Sequence, residues 1–290
     1  MSSPLTVVVP TRDRPAMLAD CLAALRADLP DGDVIVVDSA SRDAAAVAAV
    51  AHQYGARLIR LDQPGTSRAR NAGWRQSATE LVAFVDDDVR VRPGWARALA
   101  ADFDRPDVAF VTGAVVVPDR QARAERPVAV TSRTQPMALH PGLDGDLGAS
   151  ANLGVRRDVL ELVGGFDPRL GPGSWAASAE DLDLFDRIFG HGRHGWFAPA
   201  ACAEHEQWRS KPQLLRLDWR YGKGMGVRLA RLRRSDPTRA RRLWREAMVT
   251  QGLQPVCRDL RQGYEFGALT VAIRMLGSLV GGIVGRLGRL

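Results

Sequence analysis

Four short strand-like runs in the first 90 residues constrain this chain most: Leu5-Thr6-Val7-Val8-Val9, Val34-Ile35-Val36-Val37, Arg57-Leu58-Ile59-Arg60-Leu61 and Leu81-Val82-Ala83-Phe84-Val85. Each of the first three is followed by a stretch of helical period. Met17, Leu18, Cys21, Leu22 and Leu25 follow the first run, the Ala-rich stretch 44–54 the second, and residues 66–77 the third. Extended segments alternating with helices at this spacing predict right-handed βαβ units, and so a parallel sheet with helices on its faces. The expected class is α/β.

The fourth run ends abruptly in acid, as Phe84-Val85-Asp86-Asp87-Asp88-Val89. Ligands of an open parallel sheet gather at the carboxyl ends of its strands, so these carboxylates are expected in the crevice where chemistry happens. A strand buried on both faces ends in three acids where something absorbs their charge, and a divalent cation suits such hard oxygen ligands. Alternation along an extended chain turns Asp86 and Asp88 to one side and Asp87 to the other, an Asp-x-Asp pair. The competing reading is a solvated acidic turn before Pro93-Gly94.

Polar residues close the other strands as well: Pro10, Thr11 and Arg12 after the first, Asp38 after the second. Gly65 to Gly73 opens a helix with backbone donors and the guanidiniums of Arg68 and Arg70, a combination suited to phosphate or base edges. No Gly-x-Gly-x-x-Gly follows the first strand and no Gly-x-x-x-x-Gly-Lys-Ser/Thr occurs, which disfavours dinucleotide dehydrogenases and P-loop enzymes.

In order, Val-Val-Val-Pro-Thr-Arg-Asp-Arg-Pro (7–15), Val-Val-Asp-Ser-Ala-Ser-Arg-Asp (36–43), Gly65 to Gly73 and Phe-Val-Asp-Asp-Asp (84–88) resemble the successive signatures of family 2 glycosyltransferases, inverting enzymes with the GT-A fold. The resemblance covers roughly residues 4–226. It includes Gly148 to Val155, similar to the strand entering the acceptor half, the helix Arg157 to Val163, and the turn Gly164-Gly165-Phe166-Asp167. It implies a Rossmann-like, mostly parallel sheet with flanking helices, and transfer of a sugar from a nucleotide-diphosphate donor, by family habit a UDP-sugar, to an acceptor hydroxyl. The acceptor class stays open between a lipid-linked glycan, a polysaccharide of the cell surface and a small molecule.

The resemblance also implies roles. Pro10, Thr11, Arg12, Asp38, Arg68, Arg70, Asn71, Asp86 and Asp87 would line the donor, with Asp38, Arg68 and Arg70 at the nucleoside. Asp88, with His205 and Asp86, would hold Mn²⁺ or Mg²⁺. Glu180-Asp181 opens a helix with Leu182, Phe185 and Ile188 on one side, where the helix dipole alone would favour acids; the resemblance makes Asp181 the general base, with Glu180 its neighbour. Two rival readings are a nucleotidyltransferase, which would carry a Gly-rich loop after the first strand, and a non-catalytic nucleotide-sugar or polyanion-binding protein.

Residues 118–147 are rich in Pro, Arg and Gly without clear period, which predicts either a disordered segment or a functional one, a mobile flap over the site. Three widely separated cysteines, Cys21, Cys202 and Cys257, argue against a disulfide framework and for a reducing compartment. The N-terminus passes into a strand without a basic n-region and apolar h-region, so no signal peptide is expected.

The domains expected are 1–209, catalytic, and 210–290, a basic helical appendage. From Arg209 to Arg245 there are 13 Lys/Arg against Asp218 and Asp236 alone, within a chain of formal charge +7. Such an excess predicts an anionic partner. Arg220-Tyr221-Gly222-Lys223-Gly224-Met225-Gly226 is similar to a motif that follows the catalytic domain in the family, where a basic residue could meet the diphosphate. Phe266 to Gly285 is apolar apart from Arg274, with glycines at 277, 281 and 285 that permit close helix packing. Together these predict a cytosolic catalytic domain held peripherally at an anionic membrane surface, on its inner face; a nucleic-acid partner is disfavoured.

Overall fold

The computed structural model describes residues 5–118, 130–131, 133–143 and 146–287. The chain divides into two compact units, Met1–Phe166 with Arg187–Gln207, and Asp167–Asp186 with Trp208–Leu290.

The first unit is built on a nine-stranded sheet. Its strands are β1 (Leu5–Thr11), β2 (Asp33–Ser39), β3 (Arg57–Leu61), β4 (Leu81–Val85), β5 (Val89–Val91), β6 (Val108–Val116), β7 (Met137–Leu139), β8 (Asn152–Arg156) and β9 (His194–His205). Hydrogen bonding runs in the order β3-β2-β1-β4-β8-β6-β9-β5, with β7 also on β9. β3, β2, β1 and β4 are mutually parallel; β8 then enters antiparallel between β4 and β6, β6 runs parallel to β9, and β5 and β7 run antiparallel to β9.

Every residue of β1 and β4 is buried, as continuous apolar sequence in a sheet covered on both faces requires. On one face Val7, Val9, Val34, Val36, Ala83 and Val85 form a core with Leu18 and Leu22 of α1 (Pro15–Asp28), Val47 of α2 (Ala44–Gln53) and Trp95 of α4 (Trp95–Ala101). The other face of β1 meets α3 (Thr66–Arg75), so closely that a Cβ on Gly73 would stand 2.3 Å from Val8 Cγ1. α5 (Arg157–Val163) follows β8. Within the expected flap, residues 137–139 form β7; residues 119–129, 132, 144 and 145 lie outside the described residues.

The second unit begins at Asp167 and takes in the first turns of α6 (Glu180–Gly190). Its body is helical: α7 (Lys211–Ser235), α8 (Pro237–Arg245), a π-helical segment Glu246–Leu253, α9 (Gln254–Arg261) and α10 (Glu265–Arg286). Part of the basic excess is spent inside this unit. Arg228 binds Asp186 through two bonds of 2.7 and 2.9 Å, Arg239 reaches Asp186 at 2.7 Å, and Arg231 reaches Asp167 at 2.8 Å and Asp183 at 3.4 Å.

α7 and α10 pack through glycines. A Cβ on Gly222 would lie 2.1 Å from the Arg274 carbonyl oxygen, one on Gly226 2.2 Å from that of Ser278, and one on Gly281 2.1 Å from that of Lys223. Small residues four apart on both helices let the backbones touch, as their spacing in the sequence permits. Arg274, the one charge inside the apolar stretch, donates from Nε to Asp218 of α7 at 2.9 Å.

Candidate active site

The three carboxylates leave β4 on a turn rather than on an extended chain, because Val89 N–H already bonds back to the Asp86 carbonyl at 3.0 Å. The expected two-sided alternation of Asp86, Asp87 and Asp88 therefore gives way to three separate environments. Asp86 is the most open, its side chain 29% exposed, and it accepts from Arg70 Nη2 at 2.7 Å. Arg70, itself buried, also lies over the Phe166 ring at 5.3 Å.

Asp87 points inward with no exposed side-chain surface, accepting from the Thr11 hydroxyl at 2.7 Å and facing Arg14 at 2.7 Å. Burial is the largest influence on its carboxyl and raises it to about 7, against the opposing pull of Arg14. Asp88, almost wholly buried, accepts from Arg14 Nη1 at 3.0 Å on Oδ2 and presents Oδ1 to His205 Nε2 at 3.4 Å.

His205 arrives there through sheet pairing, since β5 runs antiparallel to the end of β9 and sets Val89 opposite His205. Glu206 N–H then bonds the Asp88 carbonyl at 3.3 Å. Two ligand atoms on one ion, each about 2.1 Å from it and somewhat over a right angle apart, stand roughly 3.3 Å from each other. The separation of 3.4 Å between Asp88 Oδ1 and His205 Nε2 fits that geometry, and a carboxylate with an imidazole suits Mn²⁺. Among the described residues no group of three His, Cys, Asp or Glu side chains gathers for a metal.

Around this turn, Asp38 is engaged from two sides. Ser41 N–H bonds its Oδ1 at 2.9 Å, and Arg60, its register neighbour on β3, pairs with Oδ2 and also donates to Ser41 O at 3.1 Å. Ser39 Oγ takes Gly65 N–H at 2.8 Å, tying the β2 loop to the start of α3. Arg68 is exposed and donates to Pro64 O at 3.3 Å; Arg12 is exposed beside Asp13 at 3.8 Å. Pro10 is buried within β1. Asn71 faces inward, its amide holding both the N–H and the carbonyl of Phe166 at 2.9 and 2.7 Å, and so fixes the Gly164-Gly165-Phe166 turn.

Glu180 and Asp181 belong to the second unit. Glu180 is buried; Asp181 is partly exposed and accepts Leu182 N–H at 2.8 Å. Tyr221 of α7 lies in their field: withdrawal from water, reinforced by Asp181 and Glu180 against Arg209 and Arg274, pushes its hydroxyl up to about 12. Ser178, two residues before Glu180, donates to Arg220 O at 3.0 Å, and Gly224 leaves room for it, since a Cβ there would meet Ser178 Oγ at 2.1 Å. Lys223 Nζ donates to Trp175 O at 2.6 Å and lies 4.5 Å above its ring.

Among the described residues four with a side chain adopt left-handed backbone: Asp13, Ala40, Ala177 and Ala179. Each such residue costs on the order of 1–2 kcal/mol. The first two lie in the loops after β1 and β2, the last two directly before Glu180. Strain collects where the candidate residues sit, an observation independent of any motif.

Reading the sequence did not single out Arg14, which clamps two of the three carboxylates, or Arg60. Arg14 lay within the quoted 7–15 motif, next to Pro15, which stands at the first turn of α1. Arg60 lies within the expected third strand, Arg57-Leu58-Ile59-Arg60-Leu61, where only its position in that run was noted.

The sequence profile described as Glycosyl transferase family 2 matches residues 6–161. A pre-mycofactocin glycosyltransferase of Mycobacterium tuberculosis is 32% identical over 221 residues, covering 70% of this chain and 42% of that protein. The glycosyltransferase AglE of Haloferax volcanii is 28% identical over 234 residues, 76% of this chain and 72% of that one. Among solved structures, S. aureus TarS 1–349 superposes with a TM-score of 0.57 at 15% identity, covering 99% of this chain and 92% of that chain, and the same protein in complex with UDP gives 0.59 at 13%. These structural likenesses show a shared fold, an α/β sheet flanked by helices with a helical C-terminal region. This chain therefore spans less than half the length of the mycobacterial relative.

Proposed function

Because the chain belongs to glycosyl transferase family 2, we propose that it transfers a sugar from a nucleotide-diphosphate donor to an acceptor hydroxyl, by single displacement with inversion. UDP is the proposed carrier, supported by the UDP complex of the structurally similar TarS. The acceptor is proposed to be a glycan, free or lipid-linked.

The observation that carries the reading is the tip of β4, where Asp88 faces His205 at 3.4 Å and Arg14 braces Asp87 and Asp88 from the side. Asp88 and His205 would hold the divalent cation, Mn²⁺ or Mg²⁺, with Asp86 at its edge or on the ribose. When bound, that ion supplies positive charge to the departing diphosphate. Asp87, sealed under Thr11, orients Arg14 rather than touching donor. Asp38 with Arg60, and Arg68 with Arg70, are assigned to the nucleoside and its phosphates.

On the acceptor side, Asp181 takes the proton from the attacking hydroxyl, and Glu180, the more buried neighbour, supports it. The acceptor oxygen displaces the diphosphate directly, so no glycosyl-enzyme is formed. Residues 1–209 are assigned to catalysis and 210–290 to attachment, with the enzyme cytosolic and peripheral at the inner face of the membrane.

The direct test is UDP binding by titration calorimetry with and without Mn²⁺. Asp88→Ala should weaken Mn²⁺-supported binding by about tenfold or more and remain folded by circular dichroism. Parental UDP affinity and turnover in that variant would remove Asp88 from the site.

A further inference from the structure

α10 is a helix of 22 residues with mean hydropathy 1.7 over its most apolar window, yet only 39% of that window is buried. Its small residues are the buried ones: Gly277, Ser278, Gly281, Gly282 and Gly285 face inward, against α7 and the neighbouring Trp244 ring. The large residues point out. Leu269, Leu276, Leu279, Ile283 and Leu287 are 49, 55, 47, 60 and 62% exposed, at intervals of three, four and seven that keep them on one side of the helix. Leu253 and Leu260 of the same unit are exposed as well. An outward stripe about 30 Å long is far more than the scattered apolar residues of an ordinary surface.

Two features decide what covers it. The first is charge: Arg241 and Arg245 of α8, Arg261 of α9 and Arg286 at the end of α10 are exposed on the same unit. A second copy would carry the same excess of like charge, whereas anionic headgroups would neutralise it. The second is that α10 cannot leave its neighbour to cross a bilayer without cost. Crossing would strip its backbone from Gly222 and Gly226 and separate Arg274 from Asp218, carrying a bare guanidinium towards the membrane centre.

We propose that the outward face of α10 is an in-plane membrane-docking surface: Leu276, Leu279, Ile283 and Leu287 enter the headgroup boundary of an anionic bilayer, while the glycine face stays locked on α7. The proposal deepens the peripheral attachment proposed above by naming the surface that makes it and by assigning α10 to lying on the bilayer rather than spanning it. Arginines draw the unit to anionic lipid and the stripe holds it there.

The test is cosedimentation of the full chain with phosphatidylcholine vesicles containing or lacking phosphatidylglycerol, alongside sedimentation velocity without lipid. The parent should partition onto anionic vesicles and be released by carbonate. Leu276→Ser/Leu279→Ser/Ile283→Ser should partition at least about tenfold more weakly, with UDP binding unchanged as evidence that the fold persists. Arg241→Gln/Arg245→Gln should bind less and lose most of its salt sensitivity. Undiminished binding by the triple-Ser variant would overturn the docking surface while leaving peripheral attachment standing. Absence of vesicle binding by the parent would overturn both, and a lipid-free dimer that the triple-Ser variant converts to monomer would assign the stripe to a second copy. Carbonate-resistant binding would identify a span and equally overturn the in-plane placement.

Discussion

Gly226→Ala sets two energies of opposite sign against each other. In an exposed helix interior the change is favourable, because alanine exceeds glycine in helix propensity by about 1 kcal/mol. At Gly226 the new Cβ would stand 2.2 Å from the Ser278 carbonyl oxygen and 2.5 Å from Gly282 N, both backbone atoms of α10 that cannot rotate aside. α7 and α10 would have to move apart by about 1 Å, and overpacking of this kind costs about 1–3 kcal/mol, at the upper end where the obstacle is backbone. The net expectation is a loss of roughly 2 kcal/mol, or about 8–16 °C in the unfolding midpoint of a unit this size. Gly190→Ala is the control, since nothing lies within 4 Å of the added Cβ on a helical residue. It should be neutral or stabilising by up to about 1 kcal/mol. Thermal and urea unfolding followed by far-UV circular dichroism reads both. If Gly226→Ala melted at or above the parent, the glycine contact between α7 and α10 would not exist as described, and the in-plane placement of α10 would lose its mechanical basis.

Asp181→Asn should lower turnover by about 10²-fold or more with UDP binding largely retained, the signature of a positioned base; near-normal turnover there combined with a dead Glu180→Gln would transfer the role to Glu180. Arg14→Ala should destabilise the first unit by roughly 2–3 kcal/mol at about pH 8, because Asp87 and Asp88 are buried and lose their countercharge. The sign with pH follows from Asp87, whose folded carboxyl already sits raised to about 7: the folded state holds a proton that the unfolded state releases near 4, so the penalty shrinks as pH falls from about 8 to about 5. Denaturant titrations at both pH values check this, and a penalty that grows on acidification would contradict it.

The parallel half of the sheet was legible because its evidence is local. Leu81–Val85 and Arg157–Val163 appear with the expected ends, since a run apolar on both faces and a compact helical period each leave little freedom. β8, β5 and β9 were harder: β8 enters antiparallel between β4 and β6, and β5 finds β9 more than a hundred residues away, pairings set by tertiary packing. That same long-range pairing brings His205 to Asp88, which here was reached only through a family resemblance.

The acidic triplet shows the limit from the other side. Strand alternation would hold only if the chain stayed extended, and one backbone bond from Val89 to Asp86 bends it. Asp13, two residues before Pro15, uses its carboxylate to accept Arg42 N–H at 2.8 Å, which joins the β1 loop to the β2 loop, a link no local pattern announces. The basic excess after Arg209 read as a face for an anionic partner; Arg228, Arg231 and Arg239 are instead occupied by Asp167, Asp183 and Asp186. Ion pairs between residues some forty to sixty apart leave no local signature, because either partner alone looks like solvated charge.

The central claim, sugar transfer from a nucleotide donor at the tip of β4, is tested most directly by incubating the full chain with a panel of UDP-, GDP- and dTDP-sugars and measuring release of free nucleoside diphosphate with Mn²⁺, and again with the metal chelated. The account predicts metal-dependent release of one nucleoside diphosphate, UDP from a UDP-sugar, abolished by chelation and by Asp88→Ala. Release of pyrophosphate instead, or metal-stimulated turnover undiminished in Asp88→Ala, would contradict it.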